Sequence, residues 1–212
     1  MSLFLGKIHY WLFNKIIWFE GLEDEIKSIL KDDGINIESL DEKLNEKYGE
    51  KSKGKNLEEI IDQSNIHGWL QNRIYSSEGR VAYLVSMLLE KGDSYKEKLE
   101  VIFINQGMKA AKEVKKNKGE PSTAVEIFTE MNNYILDGMP CDRVNEIISS
   151  DDNEVKWKRR ICVHKAVWGK ENVDVNEFYG LRSLWIKAFV TELNSNFNYV
   201  EKNDGTMIIE KV

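Results

Sequence analysis

His9, His67 and His164 are the chain's three histidines and Cys141 and Cys162 its two cysteines. Their spacing decides what chemistry the sequence can host. On an extended strand, residues two apart share a face, so Cys162-x-His164 pairs a thiol with an imidazole as a nucleophile and its base. A hairpin turning near residue 151 sets position 141 opposite about position 161, which carries Cys141 to Cys162. Cys141, Cys162 and His164 then make a three-ligand set for zinc or iron, with one coordination position open as in catalytic sites. Arg160 and Trp168, in "RRICVHKAVW", add a cation and an aromatic face suited to a small carboxylate. The plainer reading of these residues is core packing for the cysteines and a solvated edge strand for the cations.

The other two histidines belong to a repeat. "IHYWLFNKI" from Ile8 and "IHGWLQNRI" from Ile66 match at an offset of 58, and the match runs without a gap to Gly34/Gly92. His9/His67, Trp11/Trp69, Asn14/Asn72, Glu20/Glu78, Gly21/Gly79 and Leu30/Leu88 are among the identical pairs. At 100° per residue, the His, Leu, Ile and Glu positions fall within roughly 80° of one another on one mostly apolar helical face. His and Glu on that face are about 16 Å apart along a single helix. Two copies packed antiparallel around a pseudo-two-fold bring His9 to Glu78 and His67 to Glu20. A carboxylate against an imidazole fixes its tautomer and raises its basicity, which suits a ligand or metal site. The same pair also serves as a polar pin that sets the register of two helices.

The elements that position these residues follow from periodicity. Each repeated helix is followed by a second amphipathic stretch, after Gly34 and after Gly92. A Lys/Gly loop and a further short helix then follow in each copy. Gly34 and Gly92 fit left-handed helix ends, and Thr123-x-x-Glu126 is a capping box. The helical pattern continues across Gly21 and Gly79, where glycine lets helices approach closely. From Pro140 the period changes. Residues 142–164 read as a hairpin with a polar turn at 150–153, with Val155, Trp157, Ile161 and Val163 facing inward. A helix opening at Asp174-x-x-Glu177 runs to about Leu193, and Asn203-Asp204-Gly205 marks a second hairpin. The fold class expected is therefore α+β, predominantly α. An internally duplicated helical region (1–138, copies about 6–63 and 64–138) packs with a small antiparallel sheet and one helix (139–212).

The order of hairpin ("VKWKRRIC"), helix ("EFYGLRSLWIKAFVTEL") and closing strand ("NFNYVEK") resembles two related groups. These are the L-2-amino-thiazoline-4-carboxylic acid hydrolase-like family and the 4-vinyl reductase-type small-molecule domains. The resemblance covers residues 140–212 and matches one residue, Cys162. It implies a pocket between sheet and helices for a small, acidic ligand.

Composition narrows the function classes. With 42% hydrophobic and 31% charged residues the chain reads as globular. Two prolines in 212 residues suit long helices. A net charge of −6 argues against nucleic acid as the main partner. Two cysteines exclude a disulfide-rich scaffold, and no secretory signal is visible, so a cytoplasmic location is expected. The aromatic stretch over residues 3–19 is too short and too interrupted to span a membrane. The leading expectation is a small-molecule-binding protein, with a hydrolase-like enzyme as its catalytic form. His9, His67, Glu20, Glu78, Arg160 and Trp168 would bind the ligand, and Cys162 and His164 would act on it. The alternative is a non-catalytic interaction or homodimerisation module presenting the Trp11/Trp69 and Asn14/Asn72 face.

Overall fold

The computed structural model describes residues 5–212, so Leu3 and Phe4 of the aromatic stretch lie outside the described residues. Helix α1 (Lys7–Asp32) is followed by α2 (Ile37–Tyr48) and the single turn α3 (Leu57–Ile60). The second copy gives α4 (Ile66–Leu89), α5 (Asp93–Lys118) and α6 (Ala124–Asn132). The structure is thus α+β and mostly α, as the periodicity predicts. Among the described residues no helix is long and apolar enough to cross a membrane.

Local signals account for the helix ends. The backbone N–H of Gly6 donates to His9 Nδ1 at 2.9 Å, so His9 caps the helix that carries it. At the far end of α1, Gly34 has φ of 82°. Gly34 N–H bonds Lys31 O and Ile35 N–H bonds Leu30 O, a Schellman closure. Thr123 and Glu126 form the expected capping box on α6.

The two repeated helices pack side by side and parallel. His9 and His67, at their N-terminal ends, have ring centroids 5.5 Å apart, and Phe13 meets Trp69 at 6.2 Å. In their C-terminal halves Arg80 binds Glu23. The antiparallel pairing expected from sequence is therefore corrected, because α2 and α3 return the chain to the end where α1 began. His9 does not reach Glu78, nor His67 Glu20. The pseudo-two-fold survives with its axis along the helices. Gly79 lies under the Tyr48 ring and Gly21 faces Gln106, and these two contacts exchange under the 58-residue offset.

The C-terminal part builds a four-stranded antiparallel sheet in the order β1-β2-β4-β3. β1 (Asn145–Ser150) and β2 (Glu154–Arg159) form the first hairpin, β3 (Phe197–Glu201) and β4 (Thr206–Lys211) the second. Val155, Trp157, Phe197, Tyr199, Met207 and Ile209 are buried, with α6 and α8 (Val175–Leu193) packed on the sheet. β2 ends at Arg159, before the strand expected from sequence, so Ile161 is exposed rather than inward. The six-residue helix α7 (Lys165–Lys170) follows, too short to show a period. One hydrophobic core runs from α1 through α8 to the sheet.

The most extensive contact between two elements is α5 against α8, and Gly107 sets its spacing. A Cβ at Gly107 would lie 2.4 Å from the Trp185 carbonyl oxygen, whereas one at Gly21 would meet only Gln106 Nε2 at 3.5 Å. Gly107→Ala is therefore expected to lose about 1–3 kcal/mol in urea unfolding through overpacking. Gly21→Ala should be neutral or gain up to about 1 kcal/mol from helix propensity. Equal effects of the two would contradict this account of the α5–α8 contact.

Candidate functional site

His164 is fully buried and lies at the centre of an ionic cluster. It is the N-cap residue of α7 rather than a strand residue, so Cys162 and His164 do not share a strand face. Its Nδ1 lies 3.0 Å from each oxygen of Glu78 on α4, and its Nε2 lies 2.9 Å from Asp137 Oδ1. A carboxylate on each ring nitrogen is the arrangement that suits a ring donating from both, the imidazolium. Arg182 on α8 bonds Asp137 Oδ1 at 2.8 Å and Leu136 O at 2.6 Å. Its Nη2 comes within 3.1 Å of His164 Nε2, a like-charge approach that Asp137 bridges. Two cations and two anions thus close a neutral quartet over four segments of chain.

The proton affinities follow from that geometry. Burial opposes charge on His164, but the Glu78 and Asp137 carboxylates outweigh it and the Arg182 repulsion, so its pKa is raised above 6.5. Burial likewise opposes charge on Asp137, but Arg182 and His164 hold its carboxyl well below the usual carboxylate range. Beside them Lys15 is buried with its Nζ 4.0 Å from the Trp11 ring centroid. Burial, reinforced by Arg182 and opposed by Asp137, brings its pKa down to about 8.

The remaining residues expected to do chemistry are dispersed. Cys141 is exposed on a 3-10 turn (Pro140–Asp142) ahead of β1, and Cys162 is exposed in the loop after β2; neither forms a disulfide. Among the described residues no group of three His, Cys, Asp or Glu side chains is placed to hold a metal. His164, the third member of the expected zinc or iron set, has both ring nitrogens committed to carboxylates. Cys162 Sγ instead accepts from Tyr179 Oη at 3.1 Å, and the Arg159 guanidinium lies 3.4 Å from that ring's centroid. Burial pushes the Cys162 thiol up. The Tyr179 hydroxyl, the N–H groups of Lys165 and His164 and the His164 charge outweigh it, and its pKa is lowered. Arg160 is exposed, and Trp168 is a fully buried ring stacked on Phe178 at 4.3 Å, so neither joins the other in a ligand site.

The matched glutamates act as anchors for other segments. Glu20 accepts from the backbone N–H groups of Ser52 and Lys53 at 2.7–3.1 Å, holding the loop after α2. Glu78 holds His164. His9 accepts from Gly6 through Nδ1, which puts the proton of the neutral ring on Nε2. Burial and the nearby His67 lower its pKa. Sequence reasoning missed a second buried pair, Glu23 and Arg80, joined by two bonds of 2.7 and 2.8 Å. The signal available was Arg80 itself, which stands in the repeat where the first copy has Leu22.

A recess of about 750 Å³ lies between α1, α5 and α6 rather than between helices and sheet. Trp11, Trp18 and Tyr134 line it, with the amides Asn14, Asn105, Gln106 and Asn133. Trp11 Nε1 donates to Asn133 Oδ1 at 2.8 Å and Gln106 Nε2 donates to Trp18 O at 3.1 Å. Trp18 and Tyr134 meet edge-on at 4.8 Å. The Trp11/Asn14 face singled out in sequence therefore borders this recess in the first copy. In the second copy Trp69 packs on Phe13 instead.

Comparison with protein-family models, with characterised proteins and with solved structures gives no significant match to this chain.

The ionic cluster yields a pH prediction. Because the folded pKa of His164 is raised, its stabilisation is complete below the unfolded value of 6.5 and is lost as pH rises through the folded value. Asp137 has the opposite sign: its contribution is present above 3.8 and is lost as pH falls. His164→Gln is expected to cost about 3–5 kcal/mol near pH 6, since it leaves the buried Glu78 carboxylate without its cation. Urea unfolding from pH 5 to 9 should also show that the wild type's decline above pH 6.5 is flattened in the variant. An unchanged slope would mean that His164 is not charged in the fold.

Proposed function

We propose that the protein binds a small molecule in the groove between α1, α5 and α6. The observation that carries this reading is the groove's lining. A recess of 750 Å³ falls within the range of about 300–1,000 Å³ usual for ligand sites. Its aromatic rings supply apolar contact, and its amides supply both donors and acceptors. The rings are also held before any ligand arrives, Trp11 by Asn133 and by the Lys15 ammonium, which lowers the ordering cost of binding.

This groove stands in place of the His/Cys-lined pocket expected from sequence, because its lining includes no histidine or cysteine among the described residues. The groups expected to act as base and nucleophile are placed elsewhere, His164 beneath the surface and Cys162 in the loop after β2, against Tyr179 of α8. The groove reading also absorbs the interaction-face alternative, since Trp11 and Asn14 become ligand contacts instead of partner contacts.

A thermal-shift screen of a metabolite library tests this with wild type, Trp11→Ala and a control on the exposed side of α4, Tyr75→Ala. At a hundredfold excess over Kd a ligand should raise the midpoint by roughly 5–10 °C in wild type and control. It should do so little or not at all in Trp11→Ala. Hits that shift Trp11→Ala as much as wild type would place binding elsewhere.

A further inference from the structure

We propose that the ligand class of this groove is a neutral oligosaccharide. The inference rests on the groove being the binding site, and three features of the groove point to that class.

The first is charge. Asp24 pairs with Lys53 at 2.6 Å and Glu130 with Lys118 at 2.8 Å, which leaves Glu25, Glu113 and Lys109 as the other charged lining groups. The lining contains no arginine, the side chain best shaped to grip carboxylate or phosphate in two-point fashion. Opposite charges in near balance select an uncharged molecule, in contrast to the acidic ligand that the sequence resemblance implies.

The second feature is length. The lining runs from Trp11 to Glu25 along α1 and from Ile102 to Lys118 along α5. At 1.5 Å per residue each wall is on the order of 20 Å long. A single nucleoside or monosaccharide fills a fraction of that, whereas a chain of several rings follows it. The walls are helices whose backbone groups are bonded internally, so there is no strand edge on which an extended peptide could pair.

The third feature is the match of functional groups. Asn14, Asn105 and Asn117 are exposed in the groove, and none has a side-chain hydrogen bond among the described residues. An amide donates and accepts at once, as does a sugar hydroxyl, so the two pair without cost in orientation. Trp18 Nε1, by contrast, is buried without a hydrogen-bond partner among the described residues, so it is the ring of Trp18 and not its N–H that is offered to a ligand. The buried Lys15 ammonium covers one face of Trp11. Trp11, which lines the groove, supplies an aromatic platform for the C–H face of a sugar ring, apolar on its flat and polar at its rim.

The test is an array of neutral gluco-, manno-, galacto-, xylo- and N-acetylglucosamine oligosaccharides, followed by calorimetry of wild type, Trp11→Ala, Asn14→Ala and Tyr75→Ala. Adenosine and a tetra-alanine peptide serve as competing probes. The expected result is binding of at least one trisaccharide or longer chain, tenfold or more weaker for the matching monosaccharide. Affinity should fall tenfold or more in Trp11→Ala and Asn14→Ala, hold in Tyr75→Ala, and change little between 50 and 500 mM salt. If no array member binds, the oligosaccharide assignment is overturned. Adenosine or peptide binding that is lost in Trp11→Ala overturns the assignment too, while keeping the groove as the site. Oligosaccharide binding that is unchanged in Trp11→Ala overturns the groove itself.

Discussion

An imidazole held between two carboxylates is the constraint on which the rest of this structure turns. His164, Glu78, Asp137 and Arg182 come from α7, α4, the segment after α6, and α8. Each is buried or nearly so, and each alone would carry a desolvation penalty of several kcal/mol. The penalties are offset only when all four meet, so the quartet fixes how four segments come together. The segment after α6 is the one that matters for the groove. Asn133 and Tyr134 form part of its wall, and Leu136 and Asp137 are gripped by Arg182. The buried cluster therefore positions part of the groove wall without lining the groove itself.

The duplicated helices show one motif put to different uses. Glu20 and Glu78 occupy equivalent positions, yet one catches backbone N–H groups and the other an imidazolium. Gly21 and Gly79 both admit a residue of the other copy, Gln106 in one case and Tyr48 in the other. What the repeat preserves is a peg and a notch on each long helix. The partners have diverged with the segments that follow each copy. The second helix of the first copy is the short α2, whereas its counterpart α5 extends far beyond the equivalent point and supplies a wall of the groove.

Much of the architecture was legible because it is set locally. The turn at 151–153, the Thr123 cap, the Gly34 closure and the end of α8 at Leu193 each follow from a few adjacent residues. Parallel packing was not legible, since apolar stripes on α1 and α4 suit either direction and the return path through α2 and α3 decides. The chemistry was harder to read for the same reason. His164 and Glu78 are 86 positions apart, and nothing near either one names the other. Reading Cys162-x-His164 as strand spacing failed because β2 stops at Arg159 and α7 carries no periodic signal. The groove was hidden in another way. Asn14, Asn105 and Asn117 look like ordinary solvated helix positions until α1, α5 and α6 are brought together.

The charge state of His164 is the most direct measure of this account. Nitrogen and proton NMR of selectively labelled protein resolves both ring nitrogens and their protons. The quartet requires two exchange-protected ring N–H signals at pH 7.5, with the imidazolium persisting above the ordinary histidine range. A neutral ring with a single N–H at that pH, or titration near 6.5, would show that His164 is not the cation joining Glu78 to Asp137.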